Sequence, residues 1–231
     1  MEVENVVFAY PDGQQALRGV TLGIEPGEKV ALVGQNGAGK STFLLHLNGI
    51  LRPTEGRVRV AGMDVVDRNL ARVRGAVGLV FQMPDDQLFS PTVFDDVAFG
   101  PIYQGLSEVE ARARVLAALQ DVGMDGFAER PSHHLSIGQK KRVAIASVLV
   151  MRPEILALDE PTAGLDPRSR RGLIHLLRDL PLTMLVSTHD LPMARELLPR
   201  TVVMENGRIV ADGPTARLLN DPALLSRYGL E

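Results

Sequence analysis

Cysteine is absent from the 231 residues. No disulfide framework, thiolate catalysis or cysteine-ligated metal is possible, and the composition fits a reducing compartment. An excess of positive charge is also missing. The net charge of -3 and a pI near 6.0 count against a broad nucleic-acid surface, so no nucleic-acid partner is expected. No stretch approaches the roughly 18 continuous apolar residues of a membrane span, and the N-terminus lacks a basic segment followed by an apolar run. A protein of this kind reaches a membrane only by docking onto a partner there. Tandem repeats and low-complexity segments are missing too. What remains is ordinary for a globular chain: 45% hydrophobic and 23% charged residues, enough to bury a large core.

The strongest local pattern is Gly34-Gln35-Asn36-Gly37-Ala38-Gly39-Lys40-Ser41-Thr42, which fits G-x-x-x-x-G-K-[ST]. Residues 28–33 read as a strand entering a buried sheet, and Ser41 to Asn48 as the start of a helix. The glycines therefore occupy a strand-to-helix turn, where they leave room for an oxyanion beside the chain. Backbone N–H groups of the loop and the first helical turn point inward at that anion. The reading is a phosphate cradle for ATP, with Gly34, Asn36, Gly37, Gly39 and Thr42 in the loop. Lys40 reaches the β- and γ-phosphates, and Ser41 offers its hydroxyl to Mg²⁺.

Taken in order, residues 2–8 and 16–24 read as strands around a turn at Tyr10-Pro11-Asp12-Gly13, and residues 57–60 as a further short strand. This predicts an antiparallel element beside a parallel core. Val77 to Phe81 is a buried strand ending at Gln82. From Pro91 to about Met151 the period is helical. Val109, Ala113, Leu116, Ala117 and Leu119 are expected to form the apolar stripe of one helix, and Ile137 to Val150 a second helix. Strand signals resume at residues 155–158 and 182–186. Asp190 is placed to cap the helix that follows, and Asn206-Gly207 to turn a hairpin. The expected architecture is α/β, with one domain over 1–231. Residues 1–90 and 152–231 form the α/β core with its β element, and 91–151 an inserted helical lobe.

The run Ile155-Leu156-Ala157-Leu158-Asp159-Glu160 delivers two adjacent acids at the C-terminal edge of a strand, the edge where α/β sheets bind ligands. Asp159 is placed to hold Mg²⁺ directly or through water, and Glu160 to polarise the attacking water.

Leu135-Ser136-Ile137-Gly138-Gln139 has no meaning in general chemistry, but it resembles the Leu-Ser-Gly-Gly-Gln signature of ATP-binding-cassette (ABC) transporter ATPases, with Ile137 in place of the first glycine. The resemblance runs over essentially the whole chain. It implies a P-loop NTPase fold of the ABC type and a head-to-tail dimer, in which Ser136, Gly138 and Gln139 of one subunit cover the ATP held by the other. It further implies that Tyr10 stacks on adenine and that Gln82 contacts Mg²⁺ and the attacking water. Asp166, in Ala163-Gly164-Leu165-Asp166, falls at the dimer seam, and His189 orients Glu160 against the γ-phosphate.

Gln82-Met83-Pro84-Asp85-Asp86-Gln87-Leu88-Phe89 and Thr92 to Pro101 are similar to the energy-coupling-factor subgroup, which serves cobalt, nickel and vitamin importers. That likeness implies an ATPase peripheral to the cytoplasmic face of the membrane. Its partners would be a second ABC ATPase subunit, a transmembrane coupling protein and a membrane substrate-binding subunit. Phe89, Val93, Phe94 and Phe99 are candidates for core or for a groove that receives membrane-protein helices. Other readings are an ATPase of a different ABC transporter class, a soluble nucleotide-dependent scaffold ATPase, and a nucleotide sensor with weak hydrolysis.

Overall fold

The computed structural model describes residues 1–230. In chain order the elements are β1 (Glu2–Ala9), β2 (Gln15–Gly23), β3 (Lys29–Val33), α1 (Lys40–Leu47), β4 (Glu55–Val60), β5 (Met63–Asp64), α2 (Leu70–Ala76) and β6 (Val77–Val80). There follow α3 (Val93–Tyr103), α4 (Glu108–Asp121), α5 (Ile137–Leu149), β7 (Ile155–Asp159), α6 (Pro167–Asp179), β8 (Thr183–Ser187), α7 (Leu191–Leu197), β9 (Arg200–Glu205), β10 (Arg208–Pro214), α8 (Thr215–Leu218) and α9 (Pro222–Arg227). The chain divides into two compact units. The first takes residues 1–79, 154–160 and 181–231, and the second takes 80–153 and 161–180.

In the first unit, short continuous apolar runs give a sheet buried on both faces. The sheet order is β10-β9-β3-β8-β7-β6. β3 pairs parallel with β8 and β9, and β7 with β8, while β10 closes one edge antiparallel to β9. Val30 to Val33, Leu156 to Leu158 and Met184 to Val186 are buried, as are Phe43, Leu44 and Leu47 of α1. A second sheet, β2-β1-β4-β5, is antiparallel throughout. Its β4–β5 turn uses Ala61 and Gly62 at φ 47 and 72, and the β9–β10 turn uses Asn206 and Gly207 at φ 47 and 75. Both central residues have positive φ, as the tightest hairpins demand. The second hairpin also reaches the phosphate loop: the Gly207 N–H donates to Ala38 O (3.0 Å) and Arg18 N–H to Gly207 O (2.8 Å).

In the second unit α3, α4 and α5 pack on one another, and each start is defined by a side-chain cap. Thr92 accepts from the Asp95 N–H, while Ser107 with Glu110, and Ser136 with Gln139, form capping boxes. Each cap satisfies N–H groups that the helix itself leaves without partners. The α4 stripe expected from the sequence is out of phase. Its buried residues are Ala111, Val115, Ala118 and Leu119, whereas Val109 and Leu116 are exposed. The observed spacing i, i+4, i+7, i+8 is a proper helical face. Of the expected stripe only Leu119 lies on this buried face, which it shares with Val115 and two alanines.

Candidate active site

The phosphate loop lies in the first unit between β3 and α1. Gly34 is required by close approach, because a Cβ there would lie 2.2 Å from Met204 O. Gly39 sits at φ 102 as the N-cap of α1 and brings no side-chain cap. The first N–H groups of α1 are thus left to an external acceptor, which is the arrangement that receives phosphate. Lys40 is buried and folds back on the loop, its Nζ donating to Gly34 O (2.7 Å) and Gln35 O (3.0 Å). Burial pushes its ammonium below the usual lysine value, opposed by the carboxylates of Glu160 and Asp159. Ser41 is exposed in the first turn and Asn36 and Gly37 are exposed in the loop. The Gln35 side chain donates to Tyr228 O (3.3 Å).

The adjacent acids stand as the strand pattern predicted, at the end of β7. Asp159 is in register with Ser187 of β8. Asp159 Oδ1 and Ser187 Oγ are both buried without a hydrogen-bond partner, a costly arrangement in a packed interior. Glu160 adopts φ 45, a sparsely populated conformation for a residue with a side chain, and such strain gathers at functional sites. Its N–H donates to Ser187 O (2.9 Å). Its Oε2 accepts from the His189 N–H (3.3 Å) and lies 2.9 Å from His189 Nδ1. The Glu160 side chain is 8% exposed and that of His189 67%, so the imidazole carries the pair outward. The loop bearing His189 is tied to β3 through the Thr188 N–H to Leu32 O (3.1 Å).

Tyr10 follows β1. Its hydroxyl bonds Thr42 Oγ1 (2.9 Å) and its ring meets Phe8 edge-on at 5.0 Å. Phe8 in turn meets His46 at 4.8 Å, and His46 Nδ1 bonds Thr42 O (2.7 Å). His46 closes this circuit and is a residue that sequence reasoning passed over. An isolated histidine inside a helix carries no motif that would have marked it.

The second unit holds the remaining predicted residues. Ser136 caps α5, accepting from the Gln139 N–H (3.3 Å), while Gln139 Oε1 accepts from the Ser136 N–H (2.9 Å). Gly138 is held by packing, since a Cβ there would sit 2.9 Å from Ser169 Oγ. Ile137 is 37% exposed. Asp166 caps α6 through the N–H groups of Arg168 (2.9 Å) and Ser169 (3.0 Å). Hydrogen bonds from the Ser169 side chain and backbone hold its carboxyl below the usual aspartate value. The Gln82 carbonyl accepts from Lys141 Nζ (3.2 Å). Of the groove candidates, Val93 is buried and Phe94 half-buried, whereas Phe89 and Phe99 are 70% and 59% exposed. The last two meet edge-on at 5.7 Å.

A phosphate loop joined to an acidic strand end and a histidine-bearing loop defines a nucleotide-hydrolysing cassette. A family profile described as "ABC transporter" matches residues 17–163, and the chain belongs to this family of transporter ATPases. It is 56% identical over its full length to a putative ABC transporter ATP-binding protein of Streptomyces coelicolor, 89% of which is covered. It is 48% identical to the energy-coupling factor transporter ATP-binding protein EcfA of Methanothermobacter thermautotrophicus, covering all of this chain and 76% of that protein. Among solved structures it resembles CbiO1 of Clostridium perfringens, part of the transporter complex CbiONQ. The identity is 39% and the TM-score 0.85, covering 100% of this chain and 94% of that one. A dimeric ATP-binding cassette in a post-hydrolysis state with ADP and Pi matches at 31% identity and TM-score 0.83, over 93% of this chain and 98% of that one. The chain is an ATP-binding, energy-coupling ATPase subunit of the EcfA and CbiO type. Among the described residues no helix is long and apolar enough to cross a membrane.

Proposed function

We propose that the chain powers a membrane importer of a transition-metal ion, cobalt or nickel, or of a vitamin, through ATP-driven closure of a head-to-tail dimer on the cytoplasmic face of the membrane. The observation that carries the hydrolytic part is the Glu160–His189 pair at 2.9 Å, built on a strained backbone at the end of β7. Lys40 exchanges its bonds to Gly34 O and Gln35 O for the β- and γ-phosphate oxygens. Glu160 orients and accepts a proton from the attacking water, and His189 holds Glu160 and contacts the γ-phosphate. Tyr10 provides the adenine platform. Ser136, Gly138 and Gln139 of the second subunit cover the γ-phosphate, with Asp166 at the seam, and the N-terminus of α5 favours that negative charge.

Mg²⁺ fits the donors of the phosphate-loop unit: Asp159 Oδ1 is buried and unpartnered, Ser41 offers a hydroxyl, and oxygen ligands are what this ion takes. When bound it neutralises charge on the phosphates. Loss of the γ-phosphate removes what holds the subunits together, so hydrolysis times their opening.

The names of the EcfA and CbiO1 relatives, a transporter ATP-binding protein and a part of a transporter complex, support a multi-subunit transporter; the partners proposed for this chain are a transmembrane coupling protein and a membrane substrate binder. Exposed Phe89, Phe99, Ile102 and Tyr103 support a docking face for coupling-protein helices. Capture of the chain from detergent-solubilised membranes, followed by reconstitution of the captured complex in vesicles, tests the reading. ATP-dependent uptake of radiolabelled cobalt, nickel or a vitamin, lost with Glu160→Gln, is expected. Co-purification with an exporter, or no membrane partner at all, would overturn it.

A further inference from the structure

Residues 82–89 carry the subgroup resemblance, yet the chemistry of hydrolysis gives Asp85, Asp86 and Gln87 nothing to do. Within the second unit this segment is pinned along α5. Lys141 Nζ donates to Gln82 O (3.2 Å), and Lys140 Nζ pairs with Asp85 Oδ1 (2.6 Å). Gln87 is the central pin. Its Nε2 donates to Ala144 O (2.8 Å) and Ser147 Oγ (3.0 Å), while its Oε1 accepts from the Phe81 N–H (3.1 Å). All of these α5 partners belong to the helix that Ser136 caps.

A second pin lies on the other side of the signature. Asp96 of α3 is buried. Its Oδ1 accepts from the N–H groups of Phe89 (2.9 Å) and Ser90 (2.8 Å), and its Oδ2 accepts from Ser132 Oγ (2.6 Å). Ser132, also buried, opens the tight turn Ser132–His134 that leads into Leu135 and Ser136. Bonds to an ionised carboxylate are the short, strong kind. One carboxylate thus joins the end of the segment to the turn before the signature, and one amide joins its middle to the helix after it.

We propose that Gln87 and Asp96 are positioning residues for the signature: by fastening the Gln82–Ser90 segment on both sides of Ser136, they fix where Ser136 and Gly138 present themselves. The inference rests on the reading that this signature completes the ATP site of a second subunit. Packed, fully bonded elements move as bodies rather than deforming gradually. A displacement of Phe89 at the segment's end is therefore passed to Ser136 with little loss.

The test uses the full-length chain in preparations that turn over ATP, with kcat and KM measured per folded chain and monomer affinity read with a fluorescent ATP analogue. Gln87→Glu removes both donor bonds while keeping the acceptor. Ser132→Ala, a milder change that guards against misfolding, cuts only the Asp96 link to the signature turn. Each is expected to lower kcat about tenfold, the scale of a small misplacement of groups around a reacting centre, with analogue affinity unchanged. Asp96→Asn keeps an oxygen for the two N–H groups and gives Ser132 Oγ a donor instead of an acceptor, so it should stay within about twofold of the parent chain. A residue that only supports the fold would shift the melting temperature and leave kcat per folded chain alone. That result for both Gln87→Glu and Ser132→Ala overturns the proposal. Ser136→Ala separates the two levels. If Ser136→Ala leaves kcat intact, the signature reading has failed and the inference falls with it. If it lowers kcat while the two pin variants do not, the positioning role alone is wrong.

Discussion

The two units treat their functional residues in opposite ways. In the phosphate-loop unit, polar atoms stand buried without partners at Asp159 Oδ1 and Ser187 Oγ, Glu160 occupies a strained φ of 45, and Lys40 rests on backbone carbonyls. In the signature unit, Ser136 and Gln139 satisfy each other in a capping box, and Asp166 is consumed in starting α6. The first unit withholds interactions for a ligand to complete. The second completes its own, and so presents a rigid surface whose shape is settled before any nucleotide arrives. In the proposed head-to-tail pair, a composite site made of one adaptable half and one preformed half would keep the cost of ordering small at closure.

The comparison breaks most visibly at Glu160. Glu160→Gln should lower steady-state phosphate release by about 100-fold or more, the scale of a general base, while ATP binding persists. Retained turnover would mean that the strained acid is not the base. Lys40→Ala acts on affinity instead. Removing a charge-assisted contact worth about 1.5–3 kcal/mol should weaken ATP binding by roughly 10- to 100-fold in calorimetric titration.

A smaller effect tests whether the circuit behind Tyr10 is part of the receptive half. Burial holds the His46 imidazole below its ordinary value, with the bond to Thr42 O opposing the shift. The unfolded chain therefore binds the extra proton first, and stability present above that value is lost as pH falls through it toward the lower folded-state value. The urea midpoint should drop as pH falls from 7 to 5.5, and His46→Phe should flatten that slope. The smallest effect belongs to Tyr10→Phe, which deletes only the bond to Thr42 Oγ1. A loss of about 1 kcal/mol, up to fivefold in ATP affinity, is expected, whereas Tyr10→Ala should cost more by removing the ring itself.

Much of the adaptable half was legible in the sequence because its signals are local. The phosphate loop announces itself by glycine spacing between a strand and a helix, the acids by their place at a strand end, and Asn206-Gly207 by its turn chemistry. The rigid half was harder to read. The buried face of α4 runs through Ala111, Val115, Ala118 and Leu119, so the apolar character of Val109 and Leu116 misled. Gln87 reaches Ala144 across 57 residues, and Asp96 reaches Ser132 across 36. Partners that distant leave no periodic trace along the chain.

The claim that each chain holds half of a site is tested most directly by mixing two variants. Lys40→Ala spoils the phosphate loop and spares the signature, and Ser136→Ala does the reverse. Each chain alone should hydrolyse ATP slowly under conditions where the wild-type chain is active. In a head-to-tail pair of the two, one composite site combines an intact phosphate loop with an intact signature. The mixture should therefore regain a substantial fraction of wild-type phosphate release. A rate no greater than the sum of the two variants measured separately would contradict the account.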